Sequence, residues 1–172
     1  ILFITSAIFG QKSPNIIYIL ADDMGVGDVR TYNKDCKFPT PYLDQMALEG
    51  IKFTDAHTNS SVCTPTRYGI LTGRYAWRTL LKRGVTHAYT PHLIETGRMT
   101  VASYLKSKGY ATAAVGKWHL GMDWSSNDGK KIEKGGKNLD LKASIKNGPN
   151  VFGFDYYFGI SASLNMDPHA YI

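Results

Sequence analysis

Two cysteines in 172 residues, Cys36 and Cys63, are too few for a disulfide framework. A single bridge between them stays open on spacing alone. No apolar run approaches the ~20 residues that a membrane-spanning helix requires. The first ten residues, Ile1 to Gly10, are apolar and short. Small Ser6, Ala7 and Gly10 and then polar Gln11-Lys12-Ser13 follow the apolar stretch, as in the tail of a secretory signal peptide without its basic start. A buried strand is the alternative reading of that run. Proline is sparse and low-complexity tracts are missing, which excludes a disordered chain. The 43% hydrophobic and 20% charged residues are those of a globular one.

Acids are also in short supply, 14 against 20 Lys and Arg, for a net charge of +6. The surplus is not arranged for nucleic acid, because no basic, aromatic-interleaved surface pattern is visible. Much of it falls in Asp128–Lys146, where six lysines face three acids. Little apolar periodicity accompanies them, so a solvated surface loop is expected, at most helping to attract an anionic substrate. The chain starts at Ile1 without an initiator Met and stops at Ile172 within an apolar, Tyr-rich stretch. The expectation is the N-terminal part of a longer domain.

Strands and helices alternate in the pattern. Asn15-Ile-Ile-Tyr-Ile-Leu20 is a continuous, β-branched run of the kind buried on both faces of a parallel sheet. Thr40-Pro41 opens a helix with Tyr42, Leu43, Met46 and Ala47 on its apolar face and Gly50 as its stop. Ile51 to Asp55 reads as the next strand, and Pro65 marks a helix start that runs to Gly73. Thr100 to Lys108 reads as a helix with Val101, Tyr104 and Leu105 on one face, and Tyr110 to Val115 as another strand. This order predicts an α/β fold with a largely parallel sheet. Asp22-Asp23, Cys63 and Lys117/His119 each follow a predicted strand or open a helix. That is the sheet edge where ligand sites gather.

On the residues alone the chemistry stays open. Asp22-Asp23 suits a hard cation such as Ca²⁺ or Mg²⁺, and equally a pair of capping acids. Cys63 at a helix start is either a reactive thiolate or a packed structural cysteine. Lys117 and His119 are equally a surface lysine and a turn histidine.

The motifs together resemble the type I, formylglycine-dependent sulfatases (arylsulfatases). Cys63-Thr-Pro-Thr-Arg67 with Leu71-Thr-Gly-Arg74 is similar to the family signature Cys-x-Pro-x-Arg followed by Thr-Gly. Pro14-Asn15 through Ala21-Asp-Asp-Met-Gly25 looks like its first strand and metal loop. Pro39-Thr-Pro-Tyr-Leu-Asp44 looks like its next helix start, with Tyr42 in place of the usual Asn. Gly116-Lys-Trp-His-Leu-Gly121 and Gly153-Phe-Asp-Tyr-Tyr-Phe-Gly159 match two later elements. Thr66 replaces the Ser often found before the Arg and keeps a hydroxyl.

The resemblance implies an alkaline-phosphatase-like fold, a mostly parallel central sheet flanked by helices. Residues 1–10 would be the leader remnant and 14–172 the N-terminal part of the catalytic domain. It implies that Cys63 is oxidised to formylglycine by a formylglycine-generating or radical sulfatase-maturating enzyme, which reads Pro65 and Arg67. The aldehyde hydrates to a gem-diol. One oxygen attacks sulfur and displaces the alcohol, and the second hydroxyl then loses its proton and expels sulfate. Asp22, Asp23 and the modified Cys63 would hold Ca²⁺ (Mg²⁺ possible). Arg67 would neutralise charge at the diol, Lys117 would contact sulfate and His119 would act as base.

The family draws further metal ligands, a second His and a second Lys from a region beyond Ile172. The isolated chain is therefore expected neither to turn over nor to hold calcium tightly. The implied substrate is a sulfate ester, on a sulfated carbohydrate, in a secreted or periplasmic protein with no membrane span. Two rivals remain: a phosphodiester or phosphonate-ester hydrolase of the same superfamily, and a non-catalytic binder of sulfated glycans.

Overall fold

The helix starts expected near Thr40, Cys63 and Thr100 are all present in the computed structural model, which describes residues 13–172. The expected leader at residues 1–10 lies outside the described residues. The chain divides into two units, one ending at Thr54 and one beginning at Asp55.

The N-terminal unit contains helix α1, Pro41–Glu49, and a 3-10 turn, Val26–Asp28. Pro41 takes the first helical position, where its missing N–H costs nothing. The Thr40 hydroxyl accepts from the Arg30 backbone N–H at 3.0 Å and donates to Asp44 Oδ1 at 3.1 Å. Asp44 also accepts from the Thr31 N–H at 2.8 Å, so its charge sits in the first turn, at the positive end of the helix dipole.

Two sequence expectations fail in this unit. Asn15–Leu20 and Ile51–Asp55 form no strand, and Ile17 and Ile51 are 84% and 81% exposed. A strand buried on both faces needs ladder neighbours and covering layers, and no described segment pairs with either run. Likewise Tyr42 and Met46 on α1 stand open to solvent.

The second unit holds the core. Helix α2, Cys63–Thr72, ends at Gly73, and α3, Val101–Ser107, is capped by Thr100, whose hydroxyl accepts from the Ser103 N–H. Strand β1, Ala113–Lys117, pairs in parallel with β2, Tyr156–Ile160, in the register Ala113↔Tyr156 to Lys117↔Ile160. The strand expected at Tyr110–Val115 thus begins three residues later, after Thr112 has accepted backbone hydrogen bonds from Asp155 and Tyr156. Tyr68, Ala76, Leu93, Ile94, Trp118, Leu120, Met122 and Phe152 form the apolar core. Each of its large side chains contributes about 1.5–3 kcal/mol by leaving water. Trp118 stacks on Phe152 and meets Phe154 and Tyr157 edge-on.

Helix α3 buries a different face from the one its pattern suggested. Val101 and Tyr104 are exposed, and Ala102 is buried instead. The cause is Gly153, at φ 107°, whose backbone lies so close to α3 that a Cβ there would sit 2.3 Å from the Ser103 nitrogen.

The lysine-rich stretch is the exposed loop expected, with all six of its lysines open to solvent, but its base is closed. It belongs to an excursion whose ends, Asp123 and Lys146, exchange backbone hydrogen bonds of 2.8 and 3.0 Å. Asp123 further accepts from the His92 N–H and the Asn147 amide and pairs with His92 Nδ1 at 2.9 Å. Burial alone would raise the Asp123 pKa, but these bonds and the imidazole hold it below the usual carboxylate range.

Candidate active site

Helix α2 begins at Cys63, half-buried, with Val62 as an extended residue before it. Pro65 has no N–H and the Thr66 N–H already donates to the Val62 carbonyl, so the N–H groups of Cys63 and Thr64 are those without an intrahelical acceptor, and the cysteine stands at an electropositive helix end. The loop before it is fixed from both sides. The Thr66 hydroxyl donates to the Ser60 carbonyl at 2.9 Å, and the Asn59 amide donates to the Pro65 carbonyl at 2.9 Å. Thr66, in the position where a Ser was the commoner expectation, therefore closes the loop through the hydroxyl it retains.

Lys117 and His119 come from the other side of the unit, at the C-terminal end of β1. The strand pairing continues past Lys117, with Trp118 and His119 donating to the carbonyls of Ile160 and Ser161 at 3.0 Å each. Two bonds then tie this end to α2. The Arg67 guanidinium donates to the Lys117 carbonyl, and the buried Thr64 hydroxyl donates to the His119 carbonyl at 2.9 Å. Cys63, Arg67, Lys117 and His119 are thus brought together by two elements more than 40 residues apart in sequence.

His119 is held tightly. It is 1% exposed and adopts φ 56°, a left-handed backbone that costs a non-glycine residue roughly 1–3 kcal/mol and persists only where neighbours fix it. Those neighbours are Thr64 and Thr86, whose hydroxyls both donate to the His119 carbonyl. His119 Nε2 lies 3.0 Å from the Thr86 carbonyl. A carbonyl only accepts, so Nε2 carries the hydrogen, and in the neutral ring Nδ1 is the basic nitrogen. Lys117 Nζ donates to the Ser163 hydroxyl at 3.3 Å, just past β2. Tyr157, on β2, donates to the Gly116 and Ile160 carbonyls, and burial pushes its phenol far up, so that it stays neutral.

Thr64, Thr86 and Ser163 are neighbours of this group that the sequence did not single out. For Thr64 a signal was available, as a hydroxyl directly after Cys63 within the signature. Thr86 and Ser163 lie in loops without pattern.

Asp22 and Asp23 lie in the N-terminal unit, Asp23 with a left-handed backbone at φ 58°. Their paired carboxylates match the oxygen preference of Ca²⁺, which takes 6–8 oxygens. Among the described residues no three His, Cys, Asp or Glu side chains gather into a cation site. The donor type fits a hard cation, and the donor number supplied by these residues is partial.

A family model described as Sulfatase matches residues 14–171. The chain belongs to the sulfatase family. An N-acetylgalactosamine-6-O-sulfatase of Bacteroides thetaiotaomicron is 41% identical over 165 residues, covering 95% of this chain and 30% of that protein. Arylsulfatase G of Mus musculus is 40% identical over 156 residues, 89% of this chain and 25% of that protein. Among solved structures, one described under the metabolism of multiple glycosaminoglycans by Bacteroides thetaiotaomicron superposes with TM-score 0.80 at 40% identity. It covers 94% of this chain and 31% of that one. The fold is accordingly the sulfatases' alkaline-phosphatase-like α/β arrangement, of which the parallel β1–β2 pair and its helices are a part. The chain spans less than a third of the length of these sulfatases. No helix among the described residues is long and apolar enough to cross a membrane.

Proposed function

We propose that the protein containing this chain is a sulfuric ester hydrolase acting on a sulfated carbohydrate, with a formylglycine made from Cys63 as its nucleophile. The observation that supports it most is the double tie between α2 and the end of β1. Thr64 and Arg67 grip the backbones of His119 and Lys117, which ties the helix that begins at Cys63 to the strand end that carries the other two motif residues. The similarity to an N-acetylgalactosamine-6-O-sulfatase supports the carbohydrate class.

In this reading the hydrated formylglycine supplies one oxygen that attacks sulfur and a second hydroxyl whose deprotonation releases sulfate. The start of α2 presents backbone N–H groups and a positive dipole end to the anionic ester. Lys117 adds a point cation, oriented by Ser163. Arg67, one turn beyond Cys63, offsets negative charge at the nucleophile. His119 takes the proton in the release step through Nδ1, the nitrogen left basic by the Nε2 bond to Thr86. Asp22 and Asp23 would hold Ca²⁺, with Mg²⁺ as the alternative, and the ion would polarise the sulfate oxygens. Residues 14–172 are then the N-terminal part of the catalytic domain of an exported protein, secreted or periplasmic. A formylglycine-generating or radical maturating enzyme is its partner.

Peptide mass spectrometry of the full-length protein, coexpressed with a formylglycine-generating enzyme, tests the nucleophile. The tryptic peptide Phe53 to Arg67 is expected to carry an aldehyde at position 63 and to react with a hydrazide probe. A plain thiol at Cys63 in that host overturns the reading.

A further inference from the structure

A cavity of about 560 Å³ opens beside the residues just described, lined by His87, Tyr89, Lys131, Lys134, Asn165 and Asp167 among others. Two of its walls leave directly from the site. His87 follows Thr86, whose carbonyl holds His119, and Asn165 lies two residues past Ser163, which receives the Lys117 ammonium. Consecutive residues are 3.8 Å apart, so the cavity starts within one or two residues of His119's and Lys117's partners.

The third wall is the lysine-rich excursion, and it is docked. Gly136, at φ 68°, comes so near Tyr89 that a Cβ would lie 2.3 Å from the phenol oxygen. Tyr89 packs edge-on against Trp124, whose indole N–H donates to the Ala88 carbonyl at 3.3 Å. The 3-10 turn Lys134–Gly136 is therefore pressed onto the 87–91 segment, and Lys134 and Lys131 are carried to the cavity by it. Asp167 also lines this space, and its carboxylate is engaged by His169 Nδ1 at 3.3 Å. Two ammonium groups therefore stand against one carboxylate, with an imidazole, an amide, a phenol and the apolar Ala88, Pro91 and Met166 completing a concave wall of net positive charge, a set suited to an anionic sugar.

We propose that this cavity is a subsite for the sugar next to the sulfated one, and that Lys131 and Lys134 select substrates in which that neighbour carries a carboxylate or a second sulfate. The inference rests on the hydrolase reading above and adds a substrate class to it, an anionic oligosaccharide in preference to an aryl sulfate. Lys131 and Lys134 act as specificity-determining contacts and take no part in bond breaking.

The test compares the mature full-length protein with its Lys131→Ala/Lys134→Ala variant. Three substrates are used: 4-methylumbelliferyl sulfate, a sulfated disaccharide with a neutral neighbour, and the same disaccharide with a uronic acid neighbour. The expected result is a rise in KM of roughly tenfold or more for the uronate substrate alone, the size of a lost charge-assisted contact. Changes within about twofold are expected for the other two. Equal effects on all three substrates, or none, overturn the subsite.

A second measurement separates this failure from failure of the hydrolase reading. Calorimetric binding of the uronate disaccharide to a Cys63→Ala protein needs no turnover. There the double lysine variant is expected to bind roughly tenfold more weakly, and unchanged binding overturns the subsite whether or not the protein is an enzyme.

Discussion

The hydroxyl of Thr64 lies 2.9 Å from the carbonyl oxygen of His119, both fully buried, and fastens the second residue of α2 to the end of β1. The same hydroxyl accepts from the Thr86 N–H at 3.2 Å. Thr64→Val keeps the shape and removes the oxygen, leaving a buried donor without its acceptor. The expected cost is about 1–3 kcal/mol, read as a lower midpoint in urea denaturation, with Thr64→Ser losing less. Because the lost bond positions His119, turnover is expected to fall more steeply than stability.

His119 combines a proposed proton-transfer role with a left-handed backbone. Asparagine tolerates that backbone and valine does not. His119→Asn is therefore expected to fold and to lose about 10²–10⁴-fold in kcat on a sulfate ester, the range for removing a general base. His119→Val should lose comparable activity and also melt at a clearly lower temperature. Equal melting of the two variants would mean that the backbone at 119 is unconstrained.

Gly153 sets the contact between the segment before β2 and helix α3. An alanine there meets Ser103 backbone at 2.3 Å in a conformation with φ 107°. Neither side yields easily, since Thr100 is bonded to the Phe152 carbonyl at 2.6 Å. Gly153→Ala is expected to cost roughly 1–3 kcal/mol from overpacking, with added backbone strain. Thermal unfolding followed by circular dichroism checks it.

Acid sensitivity has a local source in Asp155. Its carboxylate meets Lys106 Nζ and accepts from the Thr112 N–H and hydroxyl, and the lysine first, then the threonine, pull its pKa down to about 2. A carboxyl with a folded pKa below its unfolded value of 3.8 adds stability above that value and loses it as the pH falls towards 2. Asp155→Asn should therefore lower the urea midpoint at pH 7, and the difference should shrink between about pH 4 and pH 2. Because the group is exposed, the effect is expected to be small and to weaken in high salt.

The residues of the candidate site were legible because each belongs to a short motif whose local spacing survives folding. Cys63 and Arg67 are one helical turn apart, and Lys117 and His119 follow one strand. What surrounds them was not legible. Thr86 and Ser163 reach the site through loops, where hydrogen bonds are made across distance and leave no periodicity. The strand expected at Asn15–Leu20 illustrates the opposite error. An apolar run reports only that burial is favourable, and pairing depends on partners, which the described residues do not provide. The lysines at 130–137 were legible as charge but not as structure. The contacts that fix them are Gly136 against Tyr89 and Trp124 against Ala88, neither of which has a sequence signature.

The closed stem at Asp123 and Lys146 has a consequence for how this fold can diversify. Since those two residues satisfy each other's backbone, and His92 and Asn147 clasp the first of them, the excursion is closed at its base. Trp124 and Ile145, just inside that base, pack against the core, so the part open to exchange is the segment between them. Recharging that segment alters the chemistry offered beside the site while leaving the parallel ladder and its buried core in place.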